Sequence, residues 1–391
     1  MSDRDAVITG IGLISCLGEG LAAHRAALAD FHPVVDAASY APWPVHPLAP
    51  VEWDRQIPKR QDQRQMEPWQ RIGTYAAGLA LESAGVKGDT ALLERMHMIV
   101  AAGGGERDEA VDAAILSGMP AAQNPAAFLN EHLMGDLRPT LFLAQLSNLL
   151  AGNISIVHGV VGSSRTFMGE EASGADAVRI AVARIAAGQG EQFLVGGSYN
   201  AQRHDVILQY EMGGLMAHGD WSGVWSRQQA GGGMVLGSLG CFLVIESRAH
   251  AAARGAPVLA RIAHVATGRC RRAPGEATAV AAGQWEAIAP ALSPRAAVLS
   301  GASGGAGITA EEQNFLAATG LPVRGMSSAL GHAMEPSFIA NLAIAADVVG
   351  CKALFAPLDA GEAAAAGPVD QVVVTSWGHR RGEALALVTS G

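Results

Sequence analysis

The stretch that decides the fold runs from Ser164 to Gly174, SRTFMGEEASG, and continues as ADAVRIAVARIAA to Ala187. From residue 171 to residue 187, apolar side chains fall on nearly every face of a helix. Such a helix must be buried, because an exposed helix keeps a polar stripe. The next segment, FLVGG at residues 193–197, predicts a buried strand. A buried helix leading into a buried strand is typical of an α/β protein.

The same order of elements returns later in the chain. Strands are predicted at residues 6–10, 98–102, 193–197, 241–245, 258–265, 297–300, 372–375 and 384–388, and helices at 21–29, 69–84, 171–187, 247–254 and 337–349. Residues 337–349 form a second helix that is apolar almost all round. The pattern therefore predicts an internal duplication, with one half at residues 1–250 and the other at 251–391.

Composition narrows the function classes. Of the 391 residues, 49% are apolar and 16% charged, which fits a heavily buried protein rather than a disordered one. A net charge of −9 argues against the broad basic face that nucleic-acid binding needs. No run of 18 apolar residues and no signal-peptide pattern is present, so a cytoplasmic protein is predicted. The four cysteines lie far apart without metal-ligand spacing, so neither a metal nor a cofactor is expected.

Residues 9–15, TGIGLIS, invite comparison with a dinucleotide-binding loop. Ser15 occupies the third glycine position, and no acidic residue ends a strand about 20 residues further on. A tight strand-to-loop turn is the favoured interpretation of this segment.

Several segments, taken in order, resemble the β-ketoacyl-acyl-carrier-protein synthases of fatty-acid and polyketide assembly, in the elongating branch. They are VITGIG at 7–12, GGG at 103–105, TLFLAQLSNLLAGNISIVHG at 140–159, SRT at 164–166, EASG at 171–174, GG at 196–197, SSALGH at 327–332 and WGHRRG at 377–382. The resemblance implies the duplicated thiolase fold, a layered αβαβα arrangement. In that fold two buried helices, one per half, point their N-termini at one site.

The resemblance also implies a cysteine, two histidines and a lysine, and most of these are replaced. Glu171 stands at the cysteine position. The first histidine falls near Ser303, where no histidine is present, and the lysine falls on Ser327. Only the second histidine remains, as His332. Condensation needs a thiolate that accepts the acyl group, so the chain alone is predicted not to condense.

The role of Glu171 stays open at this point. A carboxylate at a helix N-terminus is favoured by about 0.3–1 kcal/mol and can accept the free N–H groups of the first turn. One interpretation is therefore a cap that plugs the former acyl site. A second pairs Glu171 with His332 for acid–base chemistry. A third shifts the alignment by one residue and places Glu170 there.

The C-terminal loop and two basic segments complete the candidates. Residues 377–382 take the place of the family's mobile gate loop, so Trp377, Gly378 and His379 are predicted either to bind substrate or only to pack. The basic segments are solvated faces or docking sites for the acidic helix of an acyl carrier protein. Their members are Lys59, Arg60, Arg64 and Arg71 in the first segment and Arg269, Arg271 and Arg272 in the second.

The favoured functional hypothesis is a subunit similar to a chain-length factor. It forms a heterodimer with a cysteine-bearing ketosynthase and closes the end of the partner's acyl tunnel; a homodimer remains open. The alternative is an enzyme that decarboxylates malonyl groups, or performs acid–base chemistry on an acyl thioester, through Glu171 and His332. A third hypothesis is a scaffold that binds acyl groups or carrier protein without affecting length. Residues 57–66 also resemble a branch that works beside very-long-chain lipid A acyl synthesis in alphaproteobacteria.

Overall fold

A computed structural model describes residues 2–391. Its strands are β1 Ala6–Ser15, β2 Gly18–Glu19, β3 Val45–His46, β4 His97–Ala101, β5 Ser164–Phe167, β6 Gln192–Tyr199, β7 Leu236–Gly237, β8 Leu239–Ser247, β9 Ala260–Gly268, β10 Ala296–Ser300, β11 Val323–Gly325, β12 Gln371–Trp377 and β13 Glu383–Thr389. Its helices are α1 Gly20–Ala29, α2 Arg60–Gln65, α3 Pro68–Ser83, α4 Thr90–Leu93, α5 Glu109–Gly118, α6 Pro125–Gly135, α7 Leu141–Ala144, α8 Leu149–His158, α9 Glu171–Ala186, α10 His204–Glu211, α11 Val224–Gln229, α12 Arg248–Ala253, α13 Glu276–Ile288, α14 Ile308–Ala317, α15 Ser327–Leu330 and α16 Ser337–Cys351. Short 3₁₀ turns lie at Trp53–Arg55, Met119–Ala121 and Ala289–Ala291.

The main strands repeat one topology twice. The strand order is β5-β4-β6-β8-β1 in the first half and β11-β10-β12-β13-β9 in the second. In each half the first three strands of this order are parallel and the last two antiparallel to their neighbours. The halves join where β1 and β9 pair over two residues, Val7 with Arg261 and Ile8 with Ala260. The boundary predicted at residues 250 and 251 falls between β8 and β9, and whether each half is a domain of its own stays a prediction.

Two buried helices lie between the two sets of strands. In β4, Ile99 and Ala101 face the cluster that contains α9 and α16, whereas Met98 and Val100 face α3. This alternation follows from the two-residue period of a strand. In the second half, α13 and α14 cover the outer face. The chain therefore has the five layers of the thiolase fold, as the sequence predicts, and the buried helices are confirmed nearly to their ends.

The segment at residues 9–15 does not form the predicted turn, because β1 continues through it to Ser15, with a shift of its register against β8 between Ile8 and Gly10. Its glycines allow close packing instead. A Cβ atom on Gly12 would lie 1.9 Å from the carbonyl oxygen of Ala76 in α3, and one on Gly10 would lie 2.4 Å from that of Ala80. The side-chain-free surface lets α3 lie directly on the strand. Within residues 2–391, no helix is long and apolar enough to cross a membrane.

Candidate active site

The first turn of α9 holds the candidate site in place. After β5 the chain passes through Gly169, with φ of 137°, and Glu170, with φ of 56°, before α9 begins at Glu171. A non-glycine residue with positive φ is strained, and such residues cluster at functional sites. This sharp turn directs the Glu171 side chain inward, where only 1% of the residue is exposed.

Two histidines from the second half meet Glu171. His332 precedes α16 and is fixed by backbone hydrogen bonds, since its N–H donates to the Val235 carbonyl and its own carbonyl accepts from Gly237. His379 lies in the loop between β12 and β13. Together with Glu171, these histidines are called the Glu-His-His cluster below.

One carboxylate oxygen receives all the contacts of the cluster. Oε1 of Glu171 lies 2.8 Å from His332 Nε2 and 2.8 Å from His379 Nδ1, and it accepts a 3.0 Å hydrogen bond from the His379 backbone N–H. Oε2 of the same carboxylate is buried and has no hydrogen-bond partner. Outside the cluster, Oε1 of Glu170 lies 3.5 Å from His379 Nε2.

Burial and hydrogen bonding act in opposite directions on these groups. Burial alone would raise the pKa of Glu171, but the hydrogen bonds and charges of His332 and His379 hold that pKa well below its usual range. Burial would lower the pKa of His379, yet its contact with Glu171 raises the pKa above the usual value. The cluster therefore stabilises a carboxylate beside a protonated imidazole.

Two cavities adjoin the cluster. The larger, of about 640 Å³, is lined by Gly103, Gly104 and Gly105 and by Glu170, Tyr199, Tyr210, Glu335 and Arg380, among other residues. Burial raises the pKa of Glu335 to about 7, and the charges of Glu171 and Glu170 act in the same direction. The smaller cavity, of about 10 Å³, lies between His332, Ser327, Ser337 and Asn341, and has room for about one water molecule.

The other residues predicted from the lost catalytic positions do not join the cluster. Ser327 donates to the Ala302 carbonyl at 2.5 Å, and it shares the small cavity with His332. Ser303 is fully buried and accepts a hydrogen bond from the Gly305 backbone N–H at 3.1 Å. Both serines thus make local loop contacts.

The residues predicted in the C-terminal loop contact either the cluster or the hydrophobic core. The prediction that Trp377 binds substrate is not supported, because its indole packs against Ala277, Ala281 and Phe315. Gly378 lies beside the cluster, and a Cβ atom there would lie 3.1 Å from Glu171 Oε2. His379 points inward to Glu171 rather than lining the large cavity. The expected helix cap is also wrong, since the Glu171 carboxylate contacts the histidines and no side chain caps α9.

The first basic segment lies along a surface groove. A cavity of about 670 Å³ is lined by Arg60, Arg64 and Arg71, and also by the acidic residues Glu67 and Asp108. The Arg71 guanidinium stands 5.7 Å from the centre of the Trp53 ring. Lys59 is exposed and precedes α2 without lining the groove. Carrier-protein docking at this mixed-charge groove stays a prediction.

The second basic segment is not a free patch. Arg272 pairs with the buried Glu383 at 2.6 Å, and Arg269 pairs with Asp176 at 3.2 Å. These arginines are engaged by acidic residues of the same chain. Carrier-protein docking there stays a prediction, and two of the three cations already have partners within the chain.

Two neighbours of the cluster are not predicted from sequence. Glu335 and Tyr210 are brought there by folding alone, since neither belongs to a segment quoted for the resemblance. The Tyr210 ring packs edge-on against the His379 ring, with the centroids 5.5 Å apart. A signal for Glu335 exists, because an acidic residue stands three positions after His332 and two positions before α16, which is apolar almost all round. The contact between Glu171 and His379 spans 208 residues and has no local signal.

Comparison with known proteins identifies the family. The model of the β-ketoacyl synthase N-terminal domain matches residues 4–251. The chain belongs to the β-ketoacyl synthase family. A curated member, 3-oxoacyl-[acyl-carrier-protein] synthase 2 of Vibrio cholerae, is 24% identical over 85% of this chain and 79% of its own length.

Solved β-ketoacyl synthase structures share the fold along the whole chain. A β-ketoacyl synthase from Burkholderia phymatum has a TM-score of 0.77 at 19% identity, and covers 99% of this chain and 100% of its own. The ishigamide ketosynthase/chain length factor has a TM-score of 0.78 at 18% identity, with 100% of both chains covered. A type II polyketide ketosynthase in complex with its acyl carrier protein has a TM-score of 0.74 at 16% identity, with 99% of both chains covered.

Proposed function

We propose that this β-ketoacyl synthase family member is a non-condensing subunit of the chain-length-factor type, which pairs with an active ketosynthase during fatty-acid or polyketide elongation. The observation that carries the proposal is the carboxylate of Glu171 at the N-terminus of α9, held by His332 and His379. An acyl group on this carboxylate would be a reactive mixed anhydride, so Glu171 cannot hold the growing chain as a thioester does.

The positions of the cysteines support this proposal. Cys16 and Cys241 are buried, and burial raises the pKa of the Cys16 thiol to about 12. Cys270 lies near Glu383, and Cys351 is exposed at the end of α16. None of the four thiols contacts the Glu-His-His cluster, so none can replace the missing nucleophile by a change of rotamer.

An edge of the sheet offers a surface for the partner ketosynthase. Strand β5 is hydrogen-bonded only on its β4 side, and an unpaired edge is a template for another chain. Three apolar side chains around it, Ile156, Val161 and Met168, are 72%, 59% and 63% exposed. Exposed apolar groups beside an open strand edge favour an interface. The proposed occupant is the active ketosynthase subunit, and a second copy of this chain is the competing outcome.

The test is reconstitution with a cysteine-bearing ketosynthase and an acyl carrier protein. We expect the isolated chain not to condense, and the pair to make products of narrower length than the ketosynthase alone. Ile156→Asp combined with Met168→Asp should abolish association, whereas Val34→Asp, at a residue 41% exposed elsewhere, should not. Condensation by the isolated chain would refute the proposal, as would unchanged product lengths in the pair. Product length would also test the suggested link to very-long-chain lipid A acyl groups.

A second candidate function follows from the 2.8 Å contact between Glu171 and His332. The pair could decarboxylate malonyl thioesters or act as a base on a bound acyl thioester, with the imidazole and the carboxylate sharing the proton. Release of carbon dioxide from malonyl carrier protein distinguishes the two functions. Glu171→Gln abolishes that release if the pair is catalytic, and leaves product length intact if the carboxylate only fills the site.

A further inference from the structure

We infer that the Glu-His-His cluster is a binding site for one divalent late first-row transition metal ion, for which Zn²⁺ is the natural candidate. The inference does not depend on the proposed chain-length role. The spacing of the four cysteines does not predict this site, because its ligands are a glutamate and two histidines. His332 and His379 lie 161 and 208 residues after Glu171, so the three side chains come together only when the chain folds.

The donor set carries the first part of the inference. One ligand atom from each of Glu171, His332 and His379 lies within 4.8 Å of the other two, and all three residues are buried. Two imidazole nitrogens and one carboxylate oxygen form a ligand set of open, three-ligand zinc sites. Magnesium and calcium prefer oxygen ligands alone, so they fit poorly. Ligand bonds of about 2.0–2.2 Å require neighbouring donors to separate to about 3.4 Å. The 2.8 Å contacts must therefore open by about half an ångström.

The second, independent observation is a pair of buried polar atoms without partners. Both Glu171 Oε2 and His379 Nε2 lack a hydrogen bond. The first is a carboxylate oxygen available for a metal bond. The second faces the Glu170 carboxylate at 3.5 Å, which is the side from which a metal-bound imidazole is usually held by an acid. With a metal ion on Nδ1, His379 would keep Nε2 directed at the Glu170 carboxylate.

No permanently charged cation of the described residues neutralises the Glu171 carboxylate. Among residues 2–391, neither an arginine nor a lysine forms an ion pair with Glu171, and its only polar partners belong to His332 and His379. Two further carboxyl groups, those of Glu170 and Glu335, line the adjoining cavity of about 640 Å³. Tyr210 lines the same cavity and packs against the His379 ring. The same cavity is also lined by Arg203, Arg380 and Arg381, so an ion from solvent has a route of mixed charge that ends one side chain away from its ligands.

The test measures metal bound by the full chain. The protein is stripped with a chelator, incubated with ZnCl₂, passed through gel filtration and analysed for bound metal by mass spectrometry. We expect about one Zn²⁺ per chain, and a visible absorption band when Co²⁺ is supplied instead. Glu171→Gln and His379→Phe should each weaken binding by more than about 100-fold, because even loss of a supporting residue costs 10–100-fold. The matched control is His24→Gln, a buried histidine that contacts Ser15 instead.

A milder variant keeps the test decisive if a ligand variant fails to fold. Glu170→Gln leaves all three ligands in place and should weaken Zn²⁺ binding by about 10–100-fold while shifting the Co²⁺ band. Wild-type protein without stoichiometric metal would overturn the inference. Binding that survives Glu171→Gln and Glu170→Gln unchanged would equally overturn it, because the ion would then sit on surface histidines. Product length from the reconstituted pair tests the chain-length role separately.

Discussion

Replacing Glu171 by glutamine should lower the free energy of unfolding by an amount that depends on pH. Oε1 of Glu171 takes three contacts, at 2.8, 2.8 and 3.0 Å. A hydrogen bond to a charged group contributes about 1.5–3 kcal/mol and a neutral one about 0.5–1.5 kcal/mol, so three weakened contacts cost about 3–4 kcal/mol. Glutamine avoids part of the desolvation cost of a buried charge, which leaves a net loss of about 2–3 kcal/mol near pH 6.

The pH dependence follows from the signs of two pKa shifts. The pKa of Glu171 is lowered, so its contribution is present above the ordinary value of 4.5 and is lost as pH falls through the folded value. The pKa of His379 is raised, so its contribution is complete below the ordinary value of 6.5 and is lost as pH rises through the folded value. The difference between wild type and Glu171→Gln should therefore be largest between these two ordinary values and shrink at alkaline pH.

Urea unfolding followed by tryptophan fluorescence, from about pH 5 to about pH 9, measures this difference. The control is Glu170→Gln, because Glu170 is the adjacent acid with a side chain that is 26% exposed. It should change stability by less than about 0.5 kcal/mol. A loss below about 0.5 kcal/mol for Glu171→Gln, or an equal loss at both ends of the pH range, would refute the reasoning. Metal is removed beforehand with a chelator, so that only protons are exchanged.

Three further changes test the packing and the buried charges. Burial raises the pKa of Glu312 to about 7, so the free energy of unfolding falls as pH rises from 4.5 to that value. By calorimetry, Glu312→Gln should therefore raise the free energy of unfolding by about 2–3 kcal/mol at pH 8 and by little at pH 4.5. The buried Glu246 pairs with Arg254, and its pKa is lowered to about 2. Glu246→Gln should cost about 3–5 kcal/mol at neutral pH, and the cost should shrink as pH falls from 4.5 toward 2. Gly12→Ala should lower the free energy of unfolding by more than about 3 kcal/mol, measured by chemical denaturation, because its Cβ would lie 1.9 Å from the backbone of α3. The control is Gly350→Ala, which should be neutral or stabilising because nothing lies within 4 Å of its Cβ.

Much of the fold could be predicted because the spacing of apolar residues along the sequence indicates which faces of a helix or strand are buried. The helices α9 and α16 are apolar on almost every face, and nothing but the inside of a layered protein accommodates such a helix. The glycines of β1 misled the prediction for a physical reason. Gly10 and Gly12 permit a turn, but they equally permit a flat strand surface on which α3 packs. Local sequence cannot distinguish these uses, because the helix that decides between them lies about 60 residues away.

The candidate site was predicted only in part. Glu171 and His332 could be predicted from the family's motif spacing, and the structure places them in contact. His379 is predicted to lie in the loop, but its contact with Glu171 is not predicted. The direction of a loop side chain depends on a loop geometry that cannot be read from the local sequence. The interpretation of Glu171 as a helix cap does not hold, for an energetic reason. Charge-assisted hydrogen bonds from two imidazoles outweigh the few tenths of a kcal/mol, up to about 1 kcal/mol, that a helix N-terminus offers a carboxylate.

The place of β1 between β8 and β9 has a consequence for biosynthesis. Strand β1 leaves the ribosome before these two neighbours, which begin about 230 and 250 residues later. At about 5–20 residues per second, that delay lasts roughly 12–50 s. During this time the apolar, two-sided strand pairs only with β2, over two residues, and the rest of it is exposed to aggregation. Folding is therefore expected to be slow and dependent on chaperones, with the sheet closing only when most of the chain has been made.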